Sequence, residues 1–368
     1  MKILITGGVG HIGTNMCMEA MSRGHQVVVM DNLHREQVIN NLRFLKRRTE
    51  GNNMFEFVWG DVRNQGDFDR LPGDIEAVIH LAANPGVPWS IQWPIYDFET
   101  NARGTLNALE FARTRGNLPF VYASTNKTFS DVINLIPTRE HKSRYVWWGT
   151  GNLPRNKYKP HINWQLEDGT DESRKTGNVV AINENFPISG FGKYGHSMYG
   201  ISKLTGDLYC QEYHVQYGLP VVINKMSCIY GLFQKGVADQ GWVSHFLLKI
   251  GFGDGKIDFY GNGKQVRDLL DARDLARLYI DELENIDKCN GEIFTVGGGP
   301  ENTLSLIETI EEIEQQTGKK AEITYKEKRP ADQDIYISSI KHVKEVLGWE
   351  PTIKYQQTIA DMIQEYSV

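Results

Sequence analysis

Three glycines set between a short apolar run and a helical one constrain this chain more than any other feature. The run "KILIT" passes through "TGGVGHIG", residues 6–13, into "HIGTNMCMEAMSRG". Glycine at 7, 10 and 13 lets the backbone turn tightly. It also leaves the N–H groups and positive dipole end of the following helix open to whatever lies above the strand. The surrounding pattern gives the loop its meaning. "QVVVM", "FEFVWG", "AVIHLA" and "FVYAS" read as further strands, and "NARGTLNALEFARTRG" as a helix that stops at Gly116. Such alternation predicts an α/β fold, a doubly wound parallel sheet with helices on both faces. "LPVVINKMS" and "EIFTVGG" read as later strands of the same sheet.

A glycine triplet alone is weak, but here an acid, Asp31, ends the second strand. Its carboxylate can accept both hydroxyls of a ribose and would repel a 2′-phosphate, so the expected cofactor is NAD rather than NADP. Arg35 nearby works against that choice. Gly7, Gly10, His11, Ile12 and Gly13 are the expected pyrophosphate loop, with Asp31 and Asn32 at the ribose. Asp61 and Val62, ending the third strand in "GDV", are expected at the adenine edge. Leu81, Ala82 and Ala83 follow the fourth strand, small enough for backbone to pass close to the cofactor. His80 before them reads as a packed strand histidine.

Composition excludes several other classes. The net charge is −6 and the basic run at 46–48 is short, so nucleic acid is not an expected partner. No apolar stretch approaches the ~20 residues of a membrane span. The N-terminus enters a strand at once and does not read as a signal peptide. Cys17, Cys210, Cys228 and Cys289 are too scattered for a metal site and read as reduced thiols of a cytoplasmic protein.

The regular alternation fails between residues 137 and 195, a polar and aromatic stretch holding Trp147, Trp148 and Trp164. Tryptophans are costly to leave in water, so the segment reads as an ordered insertion near the substrate. Residues 1–136, with about 196–235 and 270–298, read as the cofactor domain. About 236–269 and 299–368 read as a smaller substrate lobe. In the latter, "TLSLIETIEEIEQQTG" looks helical throughout and "AEITYKE" like a strand.

"YGISK" places Tyr199 and Lys203 one helical turn apart on one face. A lysine ammonium and a cationic nicotinamide would both favour the phenolate a general base needs, and Lys203 could also hold the nicotinamide ribose. "YGNGK" at 260–264 repeats the spacing but is too glycine-rich for a helix. The strand run "FVYAS" leads into "STNK", so Ser124 and Thr125 bring hydroxyls and Asn126 and Lys127 follow.

These features in this order resemble the extended short-chain dehydrogenase/reductases. "STNK", "DFETNARGTLNALE", "KMSCIYG", "DQGWVSHF", "GKQVRD" and "RPADQDIYIS" narrow the likeness to nucleotide-sugar epimerases of the CDP-paratose 2-epimerase (CDP-tyvelose epimerase) type. That resemblance implies Thr125, Tyr199 and Lys203 as catalytic residues, with Ser124 beside the cofactor. It implies a nucleotide-diphosphate sugar as substrate, met by Val87, Ser90, Asn126, Lys127, Arg267 and Arg329, the two arginines on the diphosphate. It implies a homodimer or a dimer of dimers, paired through residues 101–116 and 199–218. Leu232 and Lys225 depart from the usual proline and arginine of that type. Dehydratases of this scaffold need an acid and a base just after the hydroxyl, where this chain has Asn126 and Lys127. An epimerase needs neither. A 4-epimerase, a 4,6-dehydratase using Glu167 or Asp168, a decarboxylase, a net dehydrogenase or reductase, and a non-catalytic NAD-binding protein stay open.

Overall fold

The computed structural model describes residues 1–35, 38–147, 181–190, 194–237, 240–329 and 332–367. Seven parallel strands form the central sheet. In spatial order they are Ile293–Val296, Val221–Met226, Phe120–Thr125, Ala77–His80, Lys2–Thr6, Gln26–Asp31 and Phe55–Trp59. The strands are apolar on both sides because both faces are covered, as parallel sheets require. The His11–Ser22 helix packs with Ala272–Glu284 on one face, around Ile3, Val29, Ile79 and Phe294. Gly104–Thr114 and Met198–Tyr217 cover the other, around Leu4, Val78, Phe120 and Tyr122. The strand order reverses between Lys2–Thr6 and Ala77–His80, and the crevice beyond their carboxyl ends is where such folds bind ligands.

A second, smaller sheet centres on Val266–Asp271. This strand pairs antiparallel with Thr303–Ser305 and parallel with Ile335–Tyr336 and Cys228–Tyr230. Lys256–Tyr260 pairs with Glu322–Lys326 beside it. The expectation of helix from Thr303 onward is corrected here: Thr303–Ser305 is a strand and the helix is Leu306–Thr317. Ser305 ends the strand by capping the helix, in a reciprocal box with Glu308. Residues 260–264 form a glycine turn, with Gly261 and Gly263 at φ +94° and +77°.

The described ends of the 137–195 insertion are ordered against the smaller lobe. Thr138–His141 and Arg144–Trp147 form a hairpin. Arg144 reaches Glu308 and Thr303, and the Tyr145 N–H donates to the Lys264 carbonyl. Trp147, Ile182 and Phe186 join Phe129, Val266 and Tyr336 in one apolar cluster. Trp148, Trp164, Glu167, Asp168 and Asp239 lie outside the described residues.

One buried acid sets a pH dependence. Asn224 Nδ2 donates to Glu282 Oε2 at 2.9 Å, while Asn224 Oδ1 and Glu282 Oε1 are buried without another partner among the described residues. A protonated Glu282 can meet both needs, and burial pushes its carboxyl well above the ordinary range. A raised native value means this stabilisation is complete below the unfolded carboxyl range and is lost as pH rises through the native value. Glu282→Gln keeps a donor without titrating. It is expected to melt progressively higher than the parent as pH rises, in a thermal series from acid to alkali. Parallel curves would show that Glu282 is not the linked group.

Candidate active site

One pocket over the carboxyl ends of the central strands gathers every residue expected from sequence to meet the cofactor. Gly7, Gly10, His11, Ile12 and Gly13 line one side, Asp31, Asn32, Asp61 and Val62 another, and Leu81, Ala82, Ala83, Ser124, Tyr199 and Lys203 the rest. The glycines are needed for shape. A Cβ on Gly13 would lie 2.5 Å from Gly8 Cα, and one on Gly7, at φ +70°, would lie 2.8 Å from Ala82 Cα. His11 Nε2 and Ser124 Oγ are buried polar atoms without a partner among the described residues, and both belong to pocket-lining side chains. Burial pulls His11 down to about 4, so its ring is neutral and able to share a hydrogen bond with a ligand. These residues fit a dinucleotide: a glycine cradle, an acid at the second strand's end and spare donors between them.

The acids differ in state. Asp31 Oδ1 accepts the Leu33 N–H at 2.9 Å, and burial raises its carboxyl against that bond and the Arg35 charge. Burial also acts to raise Asp61, but Arg63 at 2.7 Å and Asn32 at 3.0 Å win and hold it at about 2. Arg63 in turn lies 4.7 Å above the Tyr96 ring. His80 is fully buried between the Thr6 and Thr105 hydroxyls, at 2.7 and 3.2 Å, and burial lowers it to about 3.

Tyr199 and Lys203 lie in the first turns of Met198–Tyr217, whose N-terminus is capped by Ser197. The helix packs against the Phe120–Thr125 strand, which places the Thr125 hydroxyl where it acts to lower the Tyr199 pKa. Lys203 Nζ lies 4.2 Å from the Tyr122 ring centroid. Burial lowers Lys203 to about 8, while Asp207, Cys210 and Asp97 act to raise it. Tyr199 runs against the expectation from sequence. Burial, with Asp97 and Asp207, raises it to about 12, against the Thr125 bond and the Arg35 charge. Burial above all therefore favours the phenol form of Tyr199.

The expected substrate residues lie outside this pocket and are more scattered. Ser90 is fully buried, and its hydroxyl is engaged with backbone: it donates to the Val87 carbonyl at 2.7 Å and accepts the Tyr199 N–H at 3.0 Å. Asn126 Oδ1 lies 3.5 Å from the Thr125 hydroxyl. Lys127 Nζ donates to Gln333 at 3.2 Å, and burial and the Arg267 charge lower it to about 8. Arg267 pairs with Asp332 at 2.7 Å, and Arg329 stacks 3.9 Å over Tyr260. Sequence reading missed Tyr96, Thr100, Phe233 and Gln240, which line the cofactor pocket from distant segments. Of these, Thr100 and Gln240 lie in the runs "DFETNARGTLNALE" and "DQGWVSHF" that carried the family likeness, with no cofactor role read into them.

Comparison with known proteins agrees with this geometry. Residues 3–152 match the family model described as the NAD dependent epimerase/dehydratase family, and residues 176–362 match that of GDP-mannose 4,6 dehydratase. The chain is 35% identical to the CDP-paratose 2-epimerase of Salmonella typhi, over 98% of both chains. It is 29% identical to a dTDP-glucose 4,6-dehydratase of Xanthomonas campestris pv. campestris, over 99% of this chain and 92% of that one. The structure of UDP-glucuronic acid 4-epimerase from Bacillus cereus, in complex with UDP-glucuronic acid and NAD, superposes with a TM-score of 0.75. That match is at 23% identity and covers 100% of both chains.

Proposed function

The chain belongs to the NAD-dependent epimerase/dehydratase family of nucleotide-sugar enzymes, the extended short-chain dehydrogenase/reductases, and on that premise we propose that it is a nucleotide-sugar 2-epimerase acting on a CDP-sugar. One observation carries this reading. Tyr199 and Lys203 line the cofactor pocket and Thr125 acts on Tyr199, while the positions after Thr125 hold an amide and an ammonium rather than carboxylates. The choice of C2 and of cytidine rests on the likeness to CDP-paratose 2-epimerase.

Bound NAD supplies a reversible acceptor for the carbon-bound hydrogen of the sugar. The protein does the rest. The glycine loop and His11 would hold the pyrophosphate, Asp31 with Asn32 the adenosine ribose, and Asp61 the adenine edge. Lys203 holds the second ribose and stays one turn behind Tyr199. Thr125 and Tyr199 share the reacting hydroxyl, and Tyr199 takes its proton as the carbon is oxidised to a ketone. The ketone is flat, so turning the sugar offers its other face, and Tyr199 returns the same proton. Arg267 and Arg329 suit the diphosphate, because a planar guanidinium matches its oxygens. Arg267 then exchanges Asp332 for the substrate. Dehydration instead would need a carboxyl pair after the hydroxyl, which Asn126 and Lys127 do not provide.

A homodimer is part of the proposal. Ile201, Leu208, Val215 and Tyr217 are exposed apolar residues on the Met198–Tyr217 helix. Their counterparts Ile91, Trp93, Ile95 and Phe98 sit just before residues 101–116 rather than within them. Among the described residues no helix is long and apolar enough to cross a membrane.

Isotope labelling tests the reaction. With a CDP-hexose in deuterated water, the expected product is inverted at C2 and carries no carbon-bound deuterium, as read by mass spectrometry and proton NMR. Uptake of one deuterium at carbon would overturn the keto mechanism. Inversion at C4 without uptake would keep the mechanism and refute C2.

A further inference from the structure

Asp97 is a carboxylate only 1% exposed, and its hydrogen-bond partners among the described residues are all neutral. Asn84 Nδ2 donates to Oδ1 at 2.8 Å, Asn101 Nδ2 to the same oxygen at 3.1 Å, and the Ser202 hydroxyl to Oδ2 at 2.5 Å. Asn84 and Asn101 also brace each other, the Asn84 N–H donating to Asn101 Oδ1 at 2.7 Å. Asp97 sits on the Pro94–Phe98 helix, which runs straight into a π-helical turn, Glu99–Arg103, that carries Asn101. Such turns inside helices often mark functional sites. Ser202 lies between Tyr199 and Lys203, so this buried charge grips the same helical turn that carries the pair.

We propose that Asp97 is a positioning residue whose buried negative charge, beyond its packing, holds Lys203 as an ammonium and Tyr199 as a phenol in the resting site. The groups facing the pair come from several elements. Asp207 and Cys210 lie on the same helix, Tyr122 and Thr125 on the neighbouring strand, His80 on the next, and Arg35 after the second strand. Asp207 also pairs with Lys225 at 2.8 Å. Asp97 has only neutral hydrogen-bond partners among the described residues, and burial raises its carboxyl while the Lys203 charge favours its ionised form. It acts to raise both Tyr199 and Lys203. Tyr199 then becomes a strong base only when positive charge enters the pocket. This inference rests on Tyr199 being the base.

Asp97→Asn isolates the charge. The new Oδ1 can accept from Asn84 and Asn101, and the new Nδ2 can donate to Ser202 Oγ, whose proton can pass to the Tyr199 carbonyl 3.0 Å away. The hydrogen bonds survive and only the charge goes. Tyrosinate absorbance is titrated in the parent and in Asp97→Asn, each with and without Tyr199→Phe to isolate the Tyr199 component. That component is expected to move to lower pH in Asp97→Asn, and the acid limb of kcat/KM with it, at an unchanged melting temperature. A Tyr199 component that stays in place overturns the proposal while leaving the base assignment standing. Near-normal turnover in Tyr199→Phe removes the base assignment itself. Asp97→Ser is the second uncharged variant. If neither folds, Asp97 is a scaffold residue and the proposal falls.

Discussion

Tyr199→Phe is expected to keep its fold and its NAD while turnover falls about 10²–10⁴-fold, the usual cost of losing a general base. The ring is 9% exposed and packed, and Phe fills the same space. Losing the hydroxyl removes a polar group but leaves the ring's packing in place. The backbone of residue 199 stays tied to Ser90. Steady-state turnover, measured beside the cofactor content of the purified variant, separates base loss from cofactor loss. Turnover close to the parent's would mean that another group takes the proton.

A second large effect is expected in stability. Asp207 and Lys225 form an ion pair whose side chains are 0% and 4% exposed, and Lys225 also donates to Thr128 Oγ1 at 2.8 Å. Lys225 Nζ lies 5.0 Å from the Phe129 ring centroid, so it braces the turn that follows Thr125. Removing one partner leaves the other charged and buried. Asp207→Ala should therefore cost about 3–5 kcal/mol of unfolding free energy. The double variant Asp207→Leu with Lys225→Met is expected to recover most of that loss, because neither charge then needs solvation. Denaturant unfolding of the parent, Asp207→Leu, Lys225→Met and the double variant measures the coupling, with Asp207→Ala run alongside. An unchanged midpoint for Asp207→Ala would show that Lys225 finds water or another partner. Asp207 lies one turn beyond Lys203, so the single variant should also lose activity, and the double variant need not regain it.

The cofactor half of the site was open to reading because its parts are local. The glycines of 7–13, Asp31 at a strand end and the small residues 81–83 each sit where a strand meets a turn. The parallel sheet brings all its carboxyl ends to one edge. Sequence order alone thus predicts their convergence. Tyr199 and Lys203 were legible for a similar reason: helical periodicity fixes their common face whatever the helix packs against.

The substrate half was not, because its residues take their neighbours from other segments. Ser90 is spent on the Tyr199 backbone, and Arg267 on Asp332, 65 residues further along the chain. Thr303–Ser305 follows an apolar pattern that suits helix or strand, and only the free edge of Val266–Asp271 makes it a strand. The charge state of Tyr199 was hidden most deeply. Spacing put a lysine beside it and pointed to a phenolate. The fold added burial and the carboxylates of Asp97 and Asp207, which reverse the sign. Sequence determined the sheet, the cofactor and the helical spacing of Tyr199 and Lys203, because each repeats along one element. Tertiary structure alone decided protonation, because burial and through-space charge belong to elements that meet only in the folded chain.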